Sequence, residues 1–128
     1  MIVLDSHAFV WWVSGSPILG RTARREIAAS KRVGVSAITC FEIATAVKRG
    51  RIELDRPIGD WFGAAFELRR VELIPLTPEI AVAAAALGVD FPGDPADRII
   101  VASAVLLAAP LVTRDKRIAA SGAVTTIW

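Results

Sequence analysis

Short unbroken apolar runs alternate along this chain with longer stretches of helical spacing. The first run, residues 1–4, stops at Asp5; a run that brief and continuous predicts a buried strand, as in a parallel sheet. Residues 33–35, 71–76, 111–113 and 124–128 read the same way. Between them, residues 21–31 predict a helix. Residues 37–49 carry Ile38, Phe41, Ala44 or Thr45, and Ala46 at helical spacing and stop at Gly50. Residues 58–70 predict a third helix. Thr77 as a cap with Pro78 in the first turn opens a fourth, which stops near Gly88. After a loop at 89–93, Asp94 and Pro95 start the longest apolar helix, ending before Pro110.

Strands that alternate with helices need crossover connections, hence a mostly parallel sheet with helices on both faces. The expected class is α/β. A length of 128 residues, with no repeat or linker, allows one three-layer α/β/α domain over residues 1–128.

Composition changes this picture in one respect. The hydrophobic share of 54% is high for a soluble chain, and a domain this small has little interior to hide it. A buried partner interface is therefore expected. The longest run, residues 99–111, contains Pro110 and falls short of the roughly 18–20 apolar residues that span a bilayer. With Asp5 inside the first apolar stretch and no basic leader, no signal peptide is expected. One cysteine, Cys40, excludes an internal disulfide and a thiolate metal cluster. A cytoplasmic protein without membrane association is the expectation. Net charge is +2, yet basic residues cluster at Arg21, Arg24 and Arg25, at Lys48, Arg49 and Arg51, and at Arg114, Lys116 and Arg117. Such clusters hold phosphate or are merely solvated.

The candidate chemistry is acidic. In a parallel sheet, strand carboxyl ends and the amino ends of the helices that follow share one edge, where ligands bind. Asp5 ends the first strand, Asp115 follows the fourth by two residues, and Glu42 lies about a turn into the helix after the second. Asp97 lies in the first turn of the helix before the fourth strand, provided the 89–93 loop returns the chain to that edge. Each acid also has a structural explanation. Thr39 and Glu42 have capping-box spacing. Asp94 reads as an N-cap, which puts Asp97 at the third helical position, favourable to the helix dipole. Asp115 suits a cap for the turn after its strand. Asp5 has only a short helix from Ser6 to cap.

Four carboxylates in one crevice repel one another unless a cation sits among them. All-oxygen donors suit Mg²⁺ or Mn²⁺, an ion that favours phosphate chemistry. Arg98, Arg114, Lys116 and Arg117 flank two of the acids and are placed to hold a nucleic-acid backbone. A single histidine, His7, argues against a two-histidine ribonuclease; packing near the site is its expected role. A phosphoacceptor domain wants an aspartate where the third strand ends in Leu76 and Thr77. A haloacid-type phosphatase wants one at His7.

These residues resemble the PIN-domain ribonucleases, specifically the VapC-type toxins of bacterial toxin–antitoxin pairs, over essentially the whole chain. The anchors are residues 2–7 with Trp11 and Trp12, residues 36–38 leading to Glu42, and residues 73–81. Residues 93–102 and 111–118 complete them; the Asp-Pro-Ala-Asp-Arg run with Thr113-x-Asp115 is the most specific part. The resemblance implies a four- or five-stranded parallel sheet and Mg²⁺- or Mn²⁺-dependent endonucleolytic cleavage of RNA. It also implies a homodimer and a cognate antitoxin that wraps the toxin and blocks its site. By position, Asp5, Glu42 and Asp97 match the metal-ligand acids and Asp115 the fourth. Ser6 stands where threonine is common, with its hydroxyl kept. Asp94 is either a helix cap or a support for the site.

Overall fold

Strand β1 (Ile2–Leu4) is buried on both faces, which is why it reads as an unbroken apolar run. In the computed structural model, which describes residues 1–128, it is the central strand of a five-stranded, all-parallel sheet. Its companions are β2 (Val33–Ser36), β3 (Val71–Ile74), β4 (Leu111–Val112) and β5 (Thr126–Ile127), in the spatial order β3-β2-β1-β4-β5. The register sets Leu4 against Val35 on one side and Val112 on the other, so three carboxyl ends finish level. The chain steps outward from β1 through β2 to β3, then returns to β4 on the far side of β1. That reversal places a switch point, the usual ligand crevice, beside the end of β1.

Alternate strand residues face opposite layers. Ile2, Leu4, Val33, Val35 and Val112 pack on one side with Phe9, Ile27, Ile43 and Trp61. These come from α1 (Ser6–Val13), α2 (Arg21–Ala29), α3 (Ala37–Lys48) and α4 (Ile58–Glu67). Val3, Ile74 and Leu111 pack on the other with Ile80, Ile100, Val101 and Ile118. These belong to α5 (Pro78–Ala86), α6 (Pro95–Leu106) and α7 (Lys116–Ser121). Each fully buried Ile, Leu or Phe stabilises the fold by about 1.5–3 kcal/mol relative to exposure. Gly34 leaves room for the side chains beside it in the sheet: a Cβ there would stand 2.7 Å from Ile74 Cδ1 and 3.1 Å from Met1 Sδ.

Several boundaries differ from the sequence reading. Helix α1 is a full element, concealed by the near-continuous apolar run from Ala8 to Val13, and α7 is only two turns long. Helix α2 stops at Ala29, since Ser30 is extended (ψ 139°) and the Arg70 guanidinium takes the Ile27 and Ser30 carbonyls. Helix α4 stops at Glu67 because Leu68 is already extended (ψ 137°), and Arg70 then turns with φ 78° into β3. Cys40 is half-buried. No helix is long and apolar enough to cross a membrane. Large apolar side chains remain exposed, among them Phe41, Leu73, Val82 and Leu106.

Candidate active site

The level carboxyl ends open into a cleft of about 720 Å³ lined by Asp5, Glu42, Asp94, Asp97 and Asp115. All four acids singled out in the sequence meet there, and the edge argument explains how. Asp5 leaves β1 and N-caps α1, its Oδ1 accepting from the Ala8 amide at 2.8 Å. Asp94 N-caps α6 through the Ala96 and Asp97 amides at 2.8 and 3.3 Å, with Pro95 first in the helix, which makes Asp97 the third helical residue. Asp115 N-caps α7 through the Arg117 and Ile118 amides at 2.8 and 3.4 Å. Capping thus fixes Asp5, Asp94 and Asp115 in place, and a cap uses a carboxylate as an acceptor without removing its charge.

Glu42 is held differently from the sequence expectation. The capping-box pairing with Thr39 does not form, because α3 begins earlier, at Ala37, with Ser36 as its cap. Glu42 instead points across to α1, where Ser6 Oγ donates to its Oε1 at 2.7 Å. The Ser6 hydroxyl also lies 3.3 Å from Thr39 Oγ1, inside the helix pair. Buried Thr113 serves Asp5 in a similar way: its Oγ1 accepts from the Asp115 amide at 3.1 Å, and its hydroxyl lowers the Asp5 pKa. Sequence reasoning placed Thr39 in a capping box and Thr113 in the Thr113-x-Asp115 motif, but missed their supporting roles toward Ser6 and Asp5.

The electrostatics divide the acids. Burial pushes the Asp5 carboxyl up against the lowering hydrogen bonds from Thr113 and Ala8. Burial pushes Glu42 up as well, with Ser6 opposing and Asp94 adding repulsion. Asp97 is pushed up to about 6, first by burial and then by Asp94, Glu42, Asp115 and Asp5 in turn. Every one of those influences acts in the same direction. Asp115 goes the other way, because Arg117 binds it in a bidentate hold, Nη2 to Oδ2 at 3.0 Å, and lowers its pKa.

The donor set is all carboxylate and hydroxyl oxygen, without a thiolate or clustered imidazole. It fits a hard divalent cation such as Mg²⁺ or Mn²⁺. The acids converge without closing into a cage of three or more side chains. Mg²⁺ suits such an open arrangement, since it keeps several waters and takes only one or two carboxylates directly.

The basic residues also separate. Arg98 is not free for a ligand: its Nη1 donates to the Ala84 and Leu87 carbonyls and its Nη2 to those of Gly88 and Phe91. With its guanidinium 5.6 Å from the Phe91 ring centroid, it clasps the connection that returns the chain to the site edge. The reading of Arg98 as a backbone contact is corrected accordingly; open carbonyls at the end of α5 outcompete solvent for it. Arg114, Lys116 and Arg117 are exposed, and Arg114 and Arg117 line the cleft. Arg49 and Arg51, from the Lys48 cluster, line its other wall.

A parallel α/β sheet with an acid-lined crevice at its switch point is the layout of a PIN domain. Residues 2–123 match that domain, and the chain belongs to the PIN-domain family. It is 38% identical over 117 residues to Ribonuclease VapC22 of Mycobacterium tuberculosis, covering 91% of this chain and 88% of that one. Its fold is shared with a toxin–antitoxin complex from Klebsiella pneumoniae (TM-score 0.70, 22% identity, 100% of this chain and 97% of that one). It is shared too with VapBC2 from Rickettsia felis bound to a promoter DNA fragment (TM-score 0.71, 17% identity, 99% and 98% covered).

Proposed function

We propose that this PIN-domain protein is a divalent-metal-dependent endoribonuclease and the toxin of a toxin–antitoxin pair. The observation that carries the reading is the convergence of Asp5, Glu42, Asp94, Asp97 and Asp115 on one cleft, where the Asp97 carboxyl is raised to about 6, first by burial and then by its acidic neighbours. Such a cleft is at odds with itself at neutral pH until a cation enters. The 38% identity to a curated ribonuclease supports RNA as the substrate.

Asp5, Glu42 and Asp97 are proposed to hold the ion, directly or through its waters, with Asp115 at the margin. Mg²⁺ or Mn²⁺ bound there supplies Lewis acidity toward the phosphate and lowers the pKa of water. The chain's own part is orientation. Ser6 holds Glu42 toward the cleft, and Thr113 holds Asp5. Lys116 on one rim, and Arg49 and Arg51 on the other, take the flanking phosphates, with Arg117 held on Asp115 beside them. Water attacks phosphorus, the bond to the 3′-oxygen breaks, and the products carry a 5′-phosphate and a 3′-hydroxyl. A bound antitoxin and a homodimer are proposed to cover the exposed apolar residues; the complexes that share the fold support this, as does the surplus apolar surface. A cytoplasmic location is proposed with them.

The test incubates purified protein with single-stranded RNA and Mg²⁺ or Mn²⁺, with and without EDTA. Cleavage that survives chelation, or survives Asp5→Ala, removes the reading. For the toxin role, expression should arrest growth, and Asp97→Ala should relieve the arrest.

A further inference from the structure

Beside the acids, the cleft wall carries His7, Trp11 and Arg114. Arg114 Cζ lies 4.9 Å from the Trp11 ring centroid and 6.0 Å from that of Trp128. The two indoles meet edge to face at 5.7 Å, and His7 lies against Trp11 at 5.4 Å with 37° between the planes. The assembly is anchored from behind. Trp11 and Trp128 both pack on the core, and Trp128 presses on Gly20 so closely that a Cβ there would stand 2.8 Å from its carbonyl carbon. His7 and Arg114 are the exposed members.

We propose that Arg114, seated on Trp11 with His7 and Trp128 beside it, is a stacking platform for one unpaired nucleobase of single-stranded RNA. The proposal rests on the ribonuclease reading for its ligand class. Two features distinguish a platform from a plain phosphate contact. Arg117 spends its guanidinium on Asp115 and Arg98 spends its own on backbone carbonyls, whereas Arg114 takes part in none of the chain's ion pairs. Its planar cation instead lies over an indole, exposed at the cleft wall. Unpaired bases stack on aromatic rings and on guanidinium planes, a contact that tolerates any base. Arg114 also stands between Thr113 and Asp115, so a base resting on it belongs to a nucleotide close to the acids.

The test measures binding of a short labelled oligoribonucleotide in EDTA, where cleavage does not intervene. Arg114→Lys keeps the charge and removes the plane, and the exposed position leaves the fold intact. The expected result is a loss of roughly 10-fold in affinity, nearly that of Arg114→Ala, with the salt dependence of wild type retained. An oligonucleotide abasic at one position should weaken binding to wild type by a similar factor and cause no further loss in Arg114→Lys. Wild-type affinity in Arg114→Lys would overturn the proposal, as would an equal abasic penalty in both proteins. If the pattern holds but the protein cleaves no RNA with Mg²⁺ or Mn²⁺, the platform stands and the nuclease reading falls. If it cleaves and Arg114→Lys leaves KM unchanged, the reverse is true.

Discussion

The inner cleft and its rim hold carboxylates of the same kind under opposite conditions. Asp97 and Asp115 both lie at the amino end of a helix, and both line one cleft. Yet Asp97 is raised to about 6 by burial and four neighbouring acids, whereas Asp115 is lowered by Arg117. The difference is the supply of positive charge. At the rim the chain brings its own cation in Arg117. Inside it brings hydroxyls, Ser6 and Thr113, which orient charge but cannot neutralise it. A cation from solution is therefore worth more to the inner acids than to the outer one.

The largest test of that contrast is Asp97→Asn. Neutralising the most strained acid should lower cleavage of single-stranded RNA by more than about 100-fold, beyond the loss typical of residues that only support a ligand. Arg117→Ala should leave most activity, since it removes only the exposed partner of Asp115. Equal losses from the two variants would erase the distinction between cleft and rim.

Thermal melting gives a second measure. Mg²⁺ at 100 times its dissociation constant should stabilise the wild-type fold by about 2.7 kcal/mol, read as a rise in Tm. Asp97→Asn should lose most of that rise, and Asp115→Asn should keep most of it. A Tm indifferent to Mg²⁺ and Mn²⁺ in wild type would count against an inner metal site.

Arg98 sharpens the contrast among the cations. Its contacts with four carbonyls make it a fold residue, so Arg98→Ala should cost about 2 kcal/mol of stability, of the order for hydrogen bonds to a charged group. RNA affinity below the melting range should stay close to wild type. A variant that melts normally but binds RNA weakly would return Arg98 to the backbone-contact role.

The cleft was more legible in the sequence than the devices that build it. Asp5, Glu42, Asp97 and Asp115 could be placed together because strand ends and helix starts share an edge, a consequence of topology alone. The Asp94–Pro95 start of α6 was legible because its cap and proline are local signals. What holds Glu42 was not. Its partner Ser6 lies 36 positions away on another helix, while the capping-box spacing to Thr39 offered a nearer explanation. The extent of helix α1, read only as a short helix from Ser6, was hidden for a related reason: a segment buried on most sides loses the polar face that gives a helix its period. Arg98 looked free because nothing local reveals that the end of α5 passes over it.

Ser6→Ala tests that hidden support. Removing the hydroxyl leaves the Glu42 carboxylate in place but without its 2.7 Å donor. Activity should fall by about 10-fold, the lower end for a residue that orients a metal ligand, and Ser6→Thr should restore it. An Ala variant as active as wild type would mean that Glu42 needs no orientation.

The smallest effect expected is also the most direct reading of charge in the cleft. In metal-free protein the native Asp97 carboxyl titrates near 6 and the unfolded one near 3.8, so between those values the native state binds the extra proton. Its contribution to stability is therefore fully present below about pH 4 and is lost as the pH rises through 6. Asp97 is half-exposed, and screening cuts the full conversion of about 3 kcal/mol to roughly 1 kcal/mol. Asp5 and Glu42, raised as well, add to the same slope, while Asp115, lowered, works against it. Denaturant unfolding in EDTA should thus show wild type losing stability relative to Asp97→Asn between pH 4 and 7. With saturating Mg²⁺ the gap should close or reverse, because the ion needs the same carboxylate in its charged form. Parallel pH profiles in EDTA would mean that Asp97 is not under the repulsion that sets the inner cleft apart from its rim.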